Sequence, residues 1–230
     1  MRILGLDTST EWCSVAVAGP GTDGEANEHV VHAHSERLLP MVQRLLADAG
    51  WALAQLDGIA FGAGPGSFTG LRIGCGVAQG LALALDIPVV PVPTLEAVAL
   101  ASGAGPVLCC LDARMREVYV AAYARDGAAL RLLLPAAVLP PDAVELPAGG
   151  AAAAEWSGAG PGFAAYPQLA ARLRLGHVDA AVLPTARAIV ALARPHFERG
   201  DGVTAADALP LYVRHRVALT QAERAAGAVL

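Results

Sequence analysis

Three features of this 230-residue sequence predict an α/β chain built as two copies of one pattern. Each half opens on a strand hairpin with Asp at its turn. Apolar runs at helix and strand spacing then alternate behind it, and a Gly/Ala/Pro-rich stretch recurs in the same order in both halves. "LCCLDARMREVYVAAYARDG" lines up with "ILGLDTSTEWCSVAVAGPG", which sets Asp112 against Asp7 at an offset of 105 residues. "GAGPGF" at 158–163 echoes "GAGPGSF" at 62–68 at an offset of 96. Two echoes in one order at nearly one offset point to a duplication. The "GAGP" at 103–106 reads as the linker, giving lobes 1–104 and 105–230.

Taken in chain order, "RILGLDTST" and "CSVAVAG" read as strand, tight turn and strand, with "EHVVHAH" as a third strand. The segment 35–49 repeats Leu38, Met41, Val42, Leu45, Leu46 and Ala49 at helical spacing, with Ser35 placed to cap it and Gly50 to end it. Its apolar arc, about 160° at 100° per residue, exceeds the stripe of an ordinary surface helix and suggests a face shared between core and partner. "LDGIAFGAG" is a buried strand. "SFTGLRIGCGVAQGLALAL" is a helix apolar nearly all round, with Gly70/Gly74 and Gly76/Gly80 four apart and Arg72 and Gln79 on its polar edge. Each glycine weakens a helix by about 1 kcal/mol, so the two pairs predict another backbone close by. "IPVVPVP" is a strand and "TLEAVALAS" a helix. The second half adds helices near 163–174 and 184–199 and closes on "ALPLYVRHR". Mixed sheets in two related lobes, each led by an Asp-bearing hairpin, define the duplicated actin-like ATPase (ASKHA, ribonuclease-H-like) fold, in which those turns hold phosphate or metal.

Composition narrows the function. The chain is 55% hydrophobic and 16% charged, a globular balance. All sixteen basic residues are Arg, which excludes a Schiff-base lysine and a Walker-type GxxxxGK[ST] loop. A net charge of −5 argues against independent tight binding to nucleic acid. Asp7 interrupts the N-terminal apolar run, and Gln79, Asp86 and Pro88 interrupt the longest internal one, so neither a signal peptide nor a membrane span is expected. Cys13, Cys75, Cys109 and Cys110 lack metal or redox spacing and read as buried thiols of a cytoplasmic protein.

The candidate sites are few. Asp7, Thr8 and Ser9 occupy the place of a phosphate turn, where hydroxyls and amides wrap an anion; the same residues also make turns by bonding their own backbone. At the second turn, Arg114 and Arg116 crowd the space a nucleotide would need. His29, His32 and His34 alternate on a strand, so three converging metal ligands are not expected, and no HExxH or GxSxG occurs.

"ILGLDTST", "HSERLLP", "IAFGAGPGSFTGLRIG", "LDARMREVY" and "PLYVR" together resemble the TsaB (YeaZ) family over Arg2 to about Arg214. The resemblance implies a subunit of the tRNA threonylcarbamoyladenosine pathway, paralogous to TsaD, which transfers threonylcarbamoyl to the adenosine beside the anticodon. It implies a non-catalytic scaffold that pairs with TsaD, is joined by the ATPase TsaE, and dimerises when TsaD is absent, with tRNA met only through the complex. No cofactor is then required, and Asp7, Thr8 and Ser9 become a vestigial turn with weak nucleotide binding. In TsaD an NHxxGH pair holds metal; here "VPTLEAVA" puts Thr94 and Val98 at those places, and neither replaces an imidazole. The resemblance sets the partner surface on the helices at 35–49 and 67–85, with Leu38, Met41, Val42, Leu45, Arg72 and Val77 as its contacts. The alternatives are a weak actin-like ATPase or phosphotransferase using Asp7 and Asp112, and a metallopeptidase.

Overall fold

The computed structural model describes residues 1–103, 105–127, 129–148 and 152–213. In the first half, strands β1 (Ile3–Asp7), β2 (Trp12–Gly19) and β3 (Thr22–His29) precede helix α1 (His34–Asp48). Strand β4 (Gly58–Gly64), helix α2 (Phe68–Leu85), strand β5 (Val89–Pro93) and helix α3 (Thr94–Ser102) follow. The second half holds β6 (Val107–Asp112), β7 (Val118–Asp126), β8 (Ala129–Leu139), β9 (Ser157–Ala159), α4 (Gly162–Ala165), α5 (Gln168–Leu173), β10 (His177–Asp179) and α6 (Ala186–Arg199).

The first sheet runs β3-β2-β1-β4-β5 and the second β8-β7-β6-β9-β10, so both read third, second, first, fourth, fifth strand of their half. The first three strands of each sheet are antiparallel and the next two join parallel. Two sheets with one topology confirm the duplicated actin-like fold.

Central strands β1 and β4 are buried throughout, as strands covered on both faces must be. Leu4, Leu6, Val15, Ile59 and Phe61 point to α1 and α2, while Ile3, Ala16, Ala60 and Val90 point the other way. That second face packs Ala97 of α3 and Ile189, Val190, Ala193 and Phe197 of α6. Gly5 permits the approach: a Cβ there would lie 2.7 Å from the Ala186 carbonyl oxygen. Helix α3 also packs Leu95, Val98 and Ala99 against Val107, Cys109 and Ala121 of the second sheet. The far face of that sheet carries Phe163, Leu169 and Leu173 of α4 and α5.

Four expectations change. The boundary at 104/105 assigns α6 to the second lobe, yet α6 covers the first sheet, and Val203 bridges to Val89 of β5. Both faces of the first sheet are apolar and α1 and α2 cover only one, so the late helix returns to bury the other. The third strand is "TDGEANEH", not "EHVVHAH"; as an edge strand with much of its surface in water it carries no apolar alternation to read. Helix α1 starts one residue before Ser35, which sits in its first turn and makes no cap, although Gly50 ends the helix at φ +69° as expected. The helix expected near 163–174 is interrupted at Tyr166-Pro167, since a residue before proline leaves the α region.

Candidate functional site

The first hairpin turn is closed. Asp7, Thr8 and Ser9 are all at most 2% exposed. Ser9 donates its amide (3.1 Å) and its hydroxyl (2.9 Å) to Asp7 Oδ1, and Thr8 Oγ1 donates to the Gly70 carbonyl at 2.7 Å. The Ser67 amide donates to the Ser9 carbonyl at 2.7 Å, and Ser67 Oγ caps α2 by accepting from the Gly70 amide. Burial pushes the Asp7 carboxyl up to about 7, against the pull of its two Ser9 hydrogen bonds.

The glycines of "GAGPGSFTGLRIG" fit this closure. A Cβ on Gly66 would stand 2.4 Å from the Ser9 carbonyl oxygen, one on Gly70 1.9 Å from that of Thr8, and one on Gly74 2.5 Å from Thr8 Oγ1. Gly64, at φ +122°, faces the Leu211 carbonyl, and the Leu211 amide donates to Ala63 O at 2.7 Å. The close backbone approach that a phosphate loop reserves for a ligand is filled by the chain itself.

The second turn is open and bent differently. Arg114, Met115 and Arg116 take positive φ in succession (59°, 52°, 61°), a conformation non-glycine residues adopt at a cost. The Arg114 amide donates to Asp112 Oδ1 at 2.8 Å, and its guanidinium reaches Asp112 Oδ2 at 3.3 Å and Glu11 Oε1 across the lobes at 3.4 Å. Burial, and after it the charge and hydrogen bond of the same Asp112 carboxylate, raise the Tyr166 phenol. Glu11 in turn faces His29 Nε2 at 3.5 Å. One of the two expected arginines thus folds back onto carboxylates, while Arg116 stays exposed.

Helix α2 turns one stripe outward. Phe68, Arg72, Gly76, Gly80 and Leu83 are exposed at successive helical turns, Leu83 at 77%. Arg72 stacks over the Phe68 ring at 3.9 Å and donates Nε to the Tyr212 hydroxyl at 3.2 Å. Tyr212 lies on a C-terminal strap whose Ala208 carbonyl accepts from Cys75 Sγ (3.1 Å) and Gln79 Nε2 (3.0 Å). Leu209 and Leu211 extend this apolar surface. Among the described residues, a Cβ on Gly76 or Gly80 meets nothing within 4 Å, whereas Gly70 and Gly74 are pressed on Thr8. Among the described residues, the first glycine pair meets a close backbone and the second does not.

The structure therefore redistributes the expected contacts. Leu38, Met41, Val42 and Leu45 face the sheet at 8% exposure or less, so they build the core and are corrected as interface residues. A wide apolar arc on α1 is explained by α2 packing beside it as well as the sheet beneath. Val77 is half-buried against that core and Arg72 is exposed. Phe68 and Leu83 were legible as neighbours of Arg72 on a helical wheel, while Tyr212 had no signal, its contact being 140 residues distant. Thr94 is wholly buried and accepts from the Gly64 amide at 3.1 Å; Val98 is core. No group of three or more His, Cys, Asp or Glu side chains converges among the described residues. By length and composition α2 would pass as a membrane span, but its Leu71, Cys75, Ala78 and Ala82 stripe is packed inside the protein.

With the duplicated fold and its two unlike turns in place, the chain can be set beside known proteins. The family described as TsaD, tRNA N6-adenosine threonylcarbamoyltransferase, matches residues 23–210. Within that group, the chain is 41% identical over 229 residues to the Escherichia coli tRNA threonylcarbamoyladenosine biosynthesis protein TsaB, covering 95% of this chain and 96% of that one. YeaZ from Pseudomonas aeruginosa superposes with a TM-score of 0.83 at 44% identity, over 92% of this chain and 99% of that one. A further structure, described as an uncharacterized protein with similarity to peptidase YEAZ from Pseudomonas aeruginosa, gives 0.85 at 45%, over 93% and 99%. The chain belongs to the TsaB family of tRNA threonylcarbamoyladenosine biosynthesis proteins.

Proposed function

We propose that this chain acts in threonylcarbamoyl transfer to tRNA as a non-catalytic subunit that seats TsaD on the outward stripe of α2. The observation that carries this reading is the contrast along one helix. Its Gly70/Gly74 end closes the ancestral turn, while Gly76, Gly80 and Leu83 leave room for a partner's backbone. A contiguous exposed apolar surface of this kind marks an interface. Phe68, Arg72 and Tyr212 form its rim, where rings and a guanidinium supply anchoring contacts.

With no TsaD present, a second copy covers the same stripe about a two-fold axis, because a patch paired with itself is self-complementary. The ATPase TsaE joins the heterodimer, tRNA is met through the complex, and the role requires no cofactor, in the cytoplasm where the substrate resides. Leu83→Glu tests the reading, since it puts a charge on the stripe without entering the core. Co-purification with TsaD and tRNA modification should fall together, with the melting temperature unchanged. Modification that survives loss of the complex overturns the scaffold role. ATP turnover by the purified chain, lost in Asp7→Asn, would establish the phosphotransferase alternative instead.

A further inference from the structure

The first hairpin holds a carboxyl group that neither the fold nor the proposed interface requires to be ionised. Asp7 is 1% exposed, and the groups around it are neutral. From its own turn, Ser9 supplies an amide and a hydroxyl. From β4 comes Gly62, where a Cβ would fall 1.9 Å from Asp7 Oδ2, and from α6 the Ile189 methyl beside it. From β2 comes Cys13, whose thiol burial pushes up to about 12, keeping it neutral across the physiological range. No Arg or His ion pair reaches the carboxyl among the described residues. Two donors from Ser9, with no cation beside them, compensate a carboxylate sealed there only in part.

The turn is also mechanically tied to α2. Thr8 and Ser9, the residues next to Asp7, hold the Gly70 carbonyl and the Ser67 amide at the start of that helix. Asp7 cannot gain water without shifting the turn that carries those two bonds. We propose that Asp7 is a proton-dependent latch: protonated, it lets the hairpin close on the N-terminus of α2, and ionised, it loosens that closure. This device does not depend on which partner the outward stripe receives.

The sign follows from linkage. The folded carboxyl titrates at about 7, above its ordinary 3.8, so the folded state retains a proton that the unfolded chain has lost. The stabilisation is complete below the ordinary carboxylate range and disappears as pH rises through about 7. The experiment measures the melting temperature of the full chain between pH 5 and pH 8.5, together with amide exchange at 8–10 and 67–72 corrected for intrinsic rates. Wild type should melt progressively lower and exchange faster at these amides as pH rises through about 7. Asp7→Asn, isosteric and uncharged, should be flat in both over that window. Equal slopes in the two proteins overturn the latch. Should Asp7→Asn fail to fold, the infrared carbonyl band of a protonated carboxylic acid decides on wild type alone. A band present at pH 5.5 that titrates away near neutrality supports the latch, and its absence at pH 5.5 overturns it. Ser9→Ala removes both the donor hydroxyl and its preference for the carboxylate, so it should move that midpoint upward; an unmoved midpoint also counts against the proposal.

Discussion

The two hairpin turns began as copies and now solve opposite problems. In the first lobe, Asp7 is swallowed: Ser9 bonds it, Gly62 packs on it, and an 18-residue α2 closes over the turn through Gly66, Gly70 and Gly74. In the second, Asp112 stays partly in water, bonded by Arg114 and Tyr166, and the helices that follow β9 have only four and six residues. The glycine-loop echo persists at the level of backbone, with Gly64 at φ +122° and Gly160 at φ +110°. Yet Gly160 and Gly162 press on Cys110 of the neighbouring strand and not on the Asp-bearing turn. One lobe used the inherited loop to seat a long helix with a free outer face. The other used it to pack its own strands. The difference leaves an exposed helix face in the first lobe, where the proposed partner surface lies.

The strongest test of that comparison lies on α2 itself. Gly70→Ala forces a Cβ against the Thr8 carbonyl at 1.9 Å, a backbone atom with nowhere to go. It should cost about 3 kcal/mol or more, the upper range for overpacking, and is checked by urea unfolding. Gly162→Ala in the second lobe meets Cys110 Sγ at 2.4 Å and the Cys110 backbone carbon and oxygen at 2.8 and 2.9 Å, less severe than the approach at Gly70, and should cost about 1–3 kcal/mol. Gly76→Ala meets nothing among the described residues and should instead stabilise the isolated chain by about 0.5–1 kcal/mol through helix propensity. The same substitution should weaken TsaD capture in a pull-down, because the added methyl fills the space reserved for a partner. If Gly76→Ala binds TsaD as well as wild type does, the second glycine pair has no part in docking.

Next in size is the contrast between faces. Leu38, fully buried under β1 and β2, should cost about 2–5 kcal/mol as Leu38→Ala. Leu83→Ala, on the outer stripe, should change stability by no more than about 0.5 kcal/mol. Paired thermal melts check both. This is also where sequence reasoning met its limit. Helical spacing makes the existence of α1 and its buried residues legible, because Leu38, Met41, Val42 and Leu45 recur at the right interval. Spacing alone leaves open whether an apolar arc faces a sheet, a neighbouring helix or a partner. The arc on α1 serves the first two. Duplication was legible from two echoes, since the Asp and Gly positions that shape the backbone resist change. The return of α6 to the first sheet was not, because nothing in "ARAIVALARPHFER" says which sheet it buries. Tyr212 was beyond reach for the same reason: a contact with Arg72 across the whole chain leaves no local pattern.

The smallest expected effect concerns the bond between the lobes. Arg114 links Asp112 and Glu11, but its side chain is 76% exposed and both distances exceed 3.2 Å. Water and salt screen such a pair, so Arg114→Ala should cost no more than about 1 kcal/mol, and less still as ionic strength rises. The burial of α3 between the sheets, with Leu95 and Val98 at 0% exposure, holds the lobes far more firmly than this pair. What Arg114 does is different in kind: it pairs Asp112 with an opposite charge, where the first lobe buries Asp7 without one. The two substitutions should therefore part in their pH dependence. Arg114→Ala leaves Asp112 facing water and should keep the wild-type slope near neutral pH, whereas Asp7→Asn should abolish it. Melts of both variants at pH 5.5, 7 and 8.5 make the measurement. A slope lost in Arg114→Ala would move the pH-sensitive group from the closed turn to the open one and reverse the roles assigned to the two hairpins.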